Sequence, residues 1–175
     1  DKPVPVDPDG LPVDLMEPAA TFTTLRLDEK LRGCCGTLEA AHPLAMDVAN
    51  SAFQAAFRDL RFQPLARDEF ERIRLEVSVL SPLELMPIAN EADLLNRLEP
   101  GTDGLVIVEG TRRATFLPKV WESLPEPGRF LAALKIKCGL PDDYWSERLE
   151  FFRYRTTLYA EPDDRVGAQS VPSTM

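Results

Sequence analysis

At residues 31–38 the chain reads Leu31-Arg32-Gly33-Cys34-Cys35-Gly36-Thr37-Leu38, a run in which two glycines bracket two adjacent cysteines. In an extended strand, successive side chains point to opposite faces of the sheet. Arg32 and Cys34 are therefore predicted to share one face. The opposite face is predicted to carry Leu31, Gly33, Cys35 and Thr37. Because a fixed positive charge beside a thiol favours the thiolate, the pattern predicts Cys34 as the reactive cysteine and Arg32 as its stabilising partner.

The segment before this run predicts a β-hairpin that has the run on its second strand. Residues 21–27 are rich in β-branched side chains, and the polar residues 28–30 supply the turn. Glycine inside a strand also indicates a bulge, or a place where a ligand approaches the backbone closely.

The clearest helix is predicted to follow, with Pro43 at its first position and His42 near its cap. Apolar residues recur at helical spacing at Ala45, Val48, Ala49, Ala52, Phe53, Ala56 and Phe57. The opposite side carries Asp47, Asn50, Ser51, Gln54 and Arg58. The pattern predicts a helix that packs on the sheet through its apolar side and exposes its polar side.

The rest of the chain predicts hairpins with helices inserted between the strands. Alternating or continuous apolar patterns predict strands at 73–79, 105–108, 114–117 and 149–159, and helices after Asn90 and from Pro127. This order predicts an α+β fold with a mainly antiparallel sheet and packed helices. The predicted organisation is an extended N-terminal arm at 1–20, a globular domain at 21–160 and a loose C-terminal tail at 161–175.

The composition, with 44% hydrophobic and 28% charged residues, is that of an ordinary globular protein. No apolar run reaches the ~20 residues that a membrane span requires, and the start of the chain lacks the pattern of a signal peptide. A net charge of −9 disfavours non-specific binding to nucleic acid or to anionic membranes. Three cysteines, two of them adjacent, predict reduced thiols and a cytoplasmic location.

His42 is the single histidine of the chain. Two interpretations of it stay open, a catalytic dyad with Cys34 and a residue at the start of the helix, and the spacing favours the second. The sequence contains no Cys-x-x-Cys pair and no second histidine, so it predicts neither a metal site nor a cofactor.

The run at 31–38 closely resembles the Leu-Arg-Gly-Cys-Ile-Gly hallmark of the AMMECR family, named for a human chromosomal region. Cys35 stands where the family has isoleucine, which assigns Cys35 to the core as a small hydrophobic residue. Further blocks of the chain resemble the family in the same order, at 57–62, 76–82, 100–105, 115–121 and 140–145.

The resemblance implies a two-lobed α+β protein with the run at 31–38 beside a concave, conserved pocket. It also implies an association with Memo-type metal-dependent proteins and radical S-adenosylmethionine proteins. The expected ligand is a small molecule or a modified peptide, and the residues expected to bind it are Gly33, Gly36, Thr37, Arg58 and Arg61. No reaction can be read from these residues, so two functions stay open: a thiol-dependent enzyme component and a non-catalytic partner-binding or regulatory module.

Overall fold

The computed structural model describes residues 2–162. These residues form two compact units, one made of residues 2–78 and 158–162 and the other of residues 79–157. Within this part of the chain, three α-helices and two antiparallel sheets confirm the predicted α+β class. Residues 163–175, which make up most of the predicted C-terminal tail, lie outside the described residues.

The strands are β1 (Pro18–Leu27), β2 (Lys30–Gly36), β3 (His42–Pro43), β4 (Ile73–Leu80), β5 (Glu84–Leu85), β6 (Gly104–Glu109), β7 (Arg112–Phe116), β8 (Glu150–Tyr154) and β9 (Thr156–Ala160). The helices are α1 (Leu44–Phe57), α2 (Glu91–Arg97) and α3 (Pro127–Lys137). The single strand predicted at 149–159 is in fact two strands, β8 and β9, which belong to different sheets. Across residues 2–162, no helix has the length and apolar character needed to cross a membrane.

The first sheet has the strand order β2-β1-β4-β9, and the short strand β3 pairs with the start of β1. The predicted hairpin of β1 and β2 is confirmed. Its turn consists of Asp28 and Glu29, whose φ angles of 49° and 65° lie in the left-handed region. Two such residues give the turn whose twist matches that of the flanking strands. Lys30 already pairs with Leu27, so the turn is one residue shorter than the polar segment suggests.

A β-bulge interrupts the pairing between β1 and β2. The opposed residues around it are Leu25 with Gly33, Arg26 with Leu31, and Thr24 with Cys34. Arg32 has no partner in this register and is the extra residue of the bulge. Strict alternation of side chains therefore applies from Gly33 onwards and is interrupted at Arg32.

Helix α1 packs on the first sheet through small and polar side chains. The buried residues of the helix are Asp47, Ser51, Ala55 and Ala56. A Cβ atom at residue 33 would lie 2.2 Å from the carbonyl oxygen of Ala55, so only glycine at this position allows the two backbones to approach. The prediction that Asp47 and Ser51 face solvent is wrong.

The reason is a buried polar network between α1 and β1. The Asp47 carboxylate accepts hydrogen bonds from the Thr21 backbone N–H at 2.9 Å and from the Thr21 hydroxyl at 2.6 Å. The hydroxyls of Ser51 and Thr23 lie 2.6 Å apart and share a hydrogen bond. Buried polar groups are tolerated when they satisfy one another, and the spacing of apolar residues carries no information about such pairs.

The apolar side of α1 lines an open groove. The groove has a volume of about 560 Å³, and α1 contributes Ala49, Ala52, Phe53, Ala56 and Phe57. Other lining residues are Leu25, Leu65, Phe70, Ile73 and Leu75, together with residues 2–4. Phe57 and Phe70 remain 43% and 69% exposed. The predicted apolar stripe is present in α1, but much of it lines this open groove instead of packing into a closed core.

The start of α1 also differs from the prediction. Pro43 is the N-cap residue, one position before the helix begins, and it makes no side-chain capping hydrogen bond. His42 is exposed and lies in β3, opposite Ala19. The assignment of Pro43 to the first helical position is therefore wrong by one residue, whereas His42 lies next to the N-cap residue, near the cap as predicted.

The second sheet has the strand order β5-β8-β6-β7. Strands β6 and β7 confirm the second predicted hairpin, which turns at Gly110 with a φ angle of 61°. The Asn90 side chain accepts the backbone N–H of Asp93 at 3.0 Å, which confirms the predicted cap of α2. The unit made of residues 79–157 has a hydrophobic core that includes Leu94, Leu105, Ile107, Phe130, Leu131, Leu134 and Phe151.

Candidate functional site

Cys34 and Cys35 lie on opposite faces of β2. Cys35 packs against a buried cluster beneath α1 that includes Ala55, and its partial burial raises the pKa of its thiol. The Cys34 thiol is half-buried and receives a hydrogen bond from the Thr24 hydroxyl across the hairpin at 3.5 Å. The predicted separation of the two cysteines is confirmed, because Cys35 packs with the core and Cys34 faces away from it.

An ion pair covers the free edge of β2 at Cys34. Asp59 accepts the Cys34 backbone N–H at 2.9 Å, and Arg61 Nη2 donates to the Cys34 carbonyl oxygen at 3.3 Å. Asp59 and Arg61 also bind each other through hydrogen bonds of 2.9 and 2.7 Å. The Arg61 guanidinium holds the pKa of the Asp59 carboxyl well below its usual range. The backbone N–H and carbonyl of Cys34 are thus both held by the loop that follows α1.

The cation that the contacts bring to the Cys34 thiol is Arg61. Its Nη2 donates to the Cys34 carbonyl oxygen, whereas the hydrogen bond to the sulfur itself comes from the Thr24 hydroxyl of β1. A neighbouring cation and hydrogen bonds donated to sulfur both favour the thiolate. The Cys34 sulfur therefore accepts a hydrogen bond from a hydroxyl, and a guanidinium is bound to the backbone of the same residue.

Arg32 binds Glu69. Two hydrogen bonds join them, from Nε to Oε1 at 2.8 Å and from Nη2 to Oε2 at 2.7 Å, and Nη2 also donates to the Pro64 carbonyl oxygen at 3.4 Å. The Arg32 guanidinium lowers the pKa of the Glu69 carboxyl to about 2. This carboxylate balances the charge of Arg32, and the role of Arg32 as a stabiliser of the Cys34 thiolate stays a prediction.

Both guanidinium groups lie near Phe62. The Cζ atoms of Arg32 and Arg61 are 5.9 and 5.6 Å from the centre of its ring, within the range of cation–π attraction. Sequence reasoning missed the two carboxylate partners and Phe62 as parts of this site. The resemblance of block 57–62 to the family was the available signal for Asp59 and Phe62, whereas Glu69 and Thr24 had none.

The other predicted binding residues have local structural roles. A Cβ atom at Gly36 would lie 2.2 Å from the carbonyl oxygen of Thr21. Thr37 donates its backbone N–H to that same oxygen at 3.0 Å, and its hydroxyl accepts the Glu39 N–H at 3.0 Å. Arg58 is exposed at the C-terminal cap of α1. Participation of these residues in ligand binding stays a prediction.

The register disfavours a dyad of His42 with Cys34. His42 lies opposite Ala19 and Cys34 lies opposite Thr24, positions that are separated along β1 by roughly 17 Å at ~3.4 Å per residue. Among residues 2–162, no group of three or more histidine, cysteine, aspartate or glutamate side chains is arranged to hold a metal ion.

The comparisons with known proteins agree with one another. A family model described as AMMECR1 matches residues 2–159. A protein of Methanococcus aeolicus is 36% identical over 157 residues, covering 87% of this chain and 79% of the relative, and protein MJ0810 of Methanocaldococcus jannaschii is 34% identical, covering 85% and 76%. The crystal structure of protein PH0010 from Pyrococcus horikoshii is similar with a TM-score of 0.83 at 30% identity, covering 90% of this chain and 81% of that one. This chain therefore belongs to the AMMECR1 family.

Proposed function

We propose that the protein is a thiol-dependent component of an enzymatic reaction in which the Cys34 thiolate is the reacting group. The observation that carries the proposal is the hydrogen bond from the Thr24 hydroxyl to the Cys34 sulfur, next to the Arg61 guanidinium that binds the Cys34 carbonyl oxygen. Donors and cations beside a cysteine are typical of activated nucleophiles. Cys35 provides the contrast within the same strand, because its environment raises its pKa.

In the proposed reaction, the Cys34 thiolate attacks an electrophilic carbon of a small molecule or a modified peptide. Sulfur supplies the electron pair of the new carbon–sulfur bond, and the displaced group leaves with the electron pair of the bond that breaks. The residues proposed to bind this ligand are Gly33, Gly36, Thr37, Arg58 and Arg61, with Arg32 close by in β2. A reducing cytoplasm would keep the thiol available, and the family resemblance supports Memo-type or radical S-adenosylmethionine proteins as partners.

The proposal is tested by the rate at which iodoacetamide alkylates Cys34 at pH 7, with tandem mass spectrometry to distinguish Cys34 from Cys35. We expect Cys34 to react faster than Cys35, and faster than it does in the urea-unfolded chain. Arg61→Ala should slow the reaction because it removes the cation bound to the Cys34 carbonyl oxygen and leaves the Asp59 carboxylate unneutralised at the same residue. Arg129→Ala, the matched change at an exposed arginine of α3, should leave the rate unchanged. A Cys34 rate no higher than that of the unfolded chain contradicts the proposal.

The apolar groove favours a second candidate function, a non-catalytic module that binds a partner protein. Exposed aromatic residues on a contiguous apolar surface are typical of interaction sites, and Phe57 and Phe70 have this character. Co-sedimentation with a purified Memo-type protein is the test. Phe57→Ser should weaken the complex, whereas Leu60→Ser, at a fully exposed leucine outside the groove, should not. Equal complex formation by both variants excludes the groove as the binding surface.

A further inference from the structure

Thr24 and Cys34 are directly opposed residues of β1 and β2. The backbone N–H and carbonyl of Cys34 both point away from β1, towards Asp59 and Arg61. Cys34 and Thr24 therefore form a non-hydrogen-bonded pair of the antiparallel ladder. In such pairs the side chains lie closer together than at the hydrogen-bonded positions. The register alone thus brings the Thr24 hydroxyl next to the Cys34 sulfur.

The Thr24 hydroxyl is oriented as a donor to this sulfur, at 3.5 Å. The nearby threonines of β1 are used differently: the hydroxyl of Thr21 bonds Asp47, and that of Thr23 bonds Ser51, on the face covered by α1. Thr24 faces the other way, because it is offset from Thr23 by one residue along the strand. A β-branched side chain also has few accessible χ1 rotamers in a strand, which limits the freedom of this hydroxyl.

The backbone contacts of Cys34 restrict the position of the sulfur that accepts this hydrogen bond. With its N–H held by Asp59 and its carbonyl held by Arg61, the residue that carries the thiol is fixed relative to β1. The charge of Arg61 is largely balanced by Asp59, to which it is bound by two hydrogen bonds. The Thr24 hydroxyl is a neutral donor, and its hydrogen bond goes to the sulfur itself.

We infer that Thr24 is a positioning residue for the chemistry of Cys34: its hydroxyl orients the sulfur and stabilises the thiolate across the hairpin. This inference rests on the proposed thiol-dependent function and assigns a role to a residue outside the run at 31–38. Its effect is exerted through Cys34, so Thr24 itself need not contact the substrate.

The test uses the full chain carrying Cys35→Ala, so that alkylation reports mainly on Cys34. Thr24→Val removes the hydroxyl at constant shape, Thr24→Ser retains it, and Thr157→Val is the matched control at an exposed position of β9. The rate of alkylation by iodoacetamide is measured from pH 6 to pH 10. We expect Thr24→Val to lower the rate at pH 7 by about 3- to 10-fold, the effect of one lost hydrogen bond. The difference in rate between the parent and Thr24→Val should become smaller towards pH 10, where an ordinary thiol is already ionised.

Rescue distinguishes positioning from simple packing. Thr24→Ser should restore most of the rate, and Thr157→Val should leave it unchanged. If Thr24→Val lowers the melting temperature markedly, Thr24→Ala provides a second variant without the hydroxyl. Equal rates for the parent and the folded variants lacking the hydroxyl overturn the inference while leaving the proposed function standing. A parent Cys34 that reacts no faster than the unfolded chain overturns the proposed function itself.

Discussion

Gly33 lies directly against the backbone of Ala55, where an added Cβ atom would stand 2.2 Å from the Ala55 carbonyl oxygen. The first glycine of the run at 31–38 thus sets how closely α1 approaches β2. This close approach accompanies the burial of Asp47 and Ser51 on β1. It also leaves the neighbouring Cys34 on the opposite face of the sheet.

Gly33→Ala should destabilise the protein by about 1–3 kcal/mol, because an added methyl group meets backbone that cannot rotate away. Gly128→Ala is the control, since nothing lies within 4 Å of a Cβ atom at this position near the start of α3. Alanine there should have no effect or a small stabilising one. Urea denaturation monitored by circular dichroism measures both changes. Equal stability of the two variants would show that α1 does not pack tightly on Gly33.

Asp47→Ala should lower the free energy of unfolding by about 2–3 kcal/mol, because the buried N–H and hydroxyl of Thr21 lose their acceptor. Asp68→Ala, a change at an exposed carboxylate, should have little effect. In a double-mutant cycle, Thr21→Val and Asp47→Ala should be non-additive because the residues are in direct contact. Additive effects of the two substitutions would indicate that the network is absent in solution.

The Arg32–Glu69 pair should contribute to the loss of stability in acid. The pKa of Glu69 in the folded protein is lowered to about 2, below its value in the unfolded chain. Such a group stabilises the fold above the unfolded pKa and loses this contribution as the pH falls through the folded value. We expect the free energy of unfolding to decline between about pH 5 and pH 2, and Glu69→Gln to make the decline shallower.

The control for that measurement is Asp68→Asn, at the exposed neighbouring residue. Urea denaturation at several pH values should show that the free energy of unfolding of this variant changes with pH about as it does in the wild type. If Glu69→Gln retains the full wild-type pH dependence, the ion pair with Arg32 makes no contribution to stability.

Tyr154 should make the protein sensitive to alkali. Its hydroxyl donates to the Phe116 carbonyl oxygen at 3.1 Å and shares a hydrogen bond with Thr115, and burial raises its pKa to about 12. The fold retains this proton above ~pH 10, where the unfolded chain releases it, so stability should be lost between about pH 10 and pH 12.

Tyr154→Phe should flatten this alkaline decline, at a cost of about 1 kcal/mol at neutral pH from the lost hydrogen bonds. Tyr159→Phe, at a residue that is 60% exposed, is the matched control and should behave like the wild type. Thermal melting from pH 8 to pH 11.5 records the difference. An unchanged alkaline profile for Tyr154→Phe would assign the decline to other groups.

The sequence was sufficient to predict the elements that depend on a local pattern of residues. A hairpin of β1 and β2, a helix starting near Pro43, a capped helix after Asn90 and the hairpin of β6 and β7 all follow from periodicity and turn chemistry, and the structure has each of them. The opposite placement of Cys34 and Cys35 follows from strand alternation alone. The family could also be recognised, because several blocks match in order.

Tertiary structure decided which partner each polar group has. The binding of Arg32 to Glu69 and that of Arg61 to the Cys34 carbonyl join residues that are far apart in sequence. The bulge at Arg32 depends on the register between two strands. The hydrogen bond between Asp47 and Thr21 placed part of the polar side of α1 in the interior instead of in solvent. Hydrogen bonds and ion pairs depend on distances of a few ångströms between separate segments. Periodicity within one segment reports which face of that segment is apolar, but it cannot report what another segment brings to the polar face.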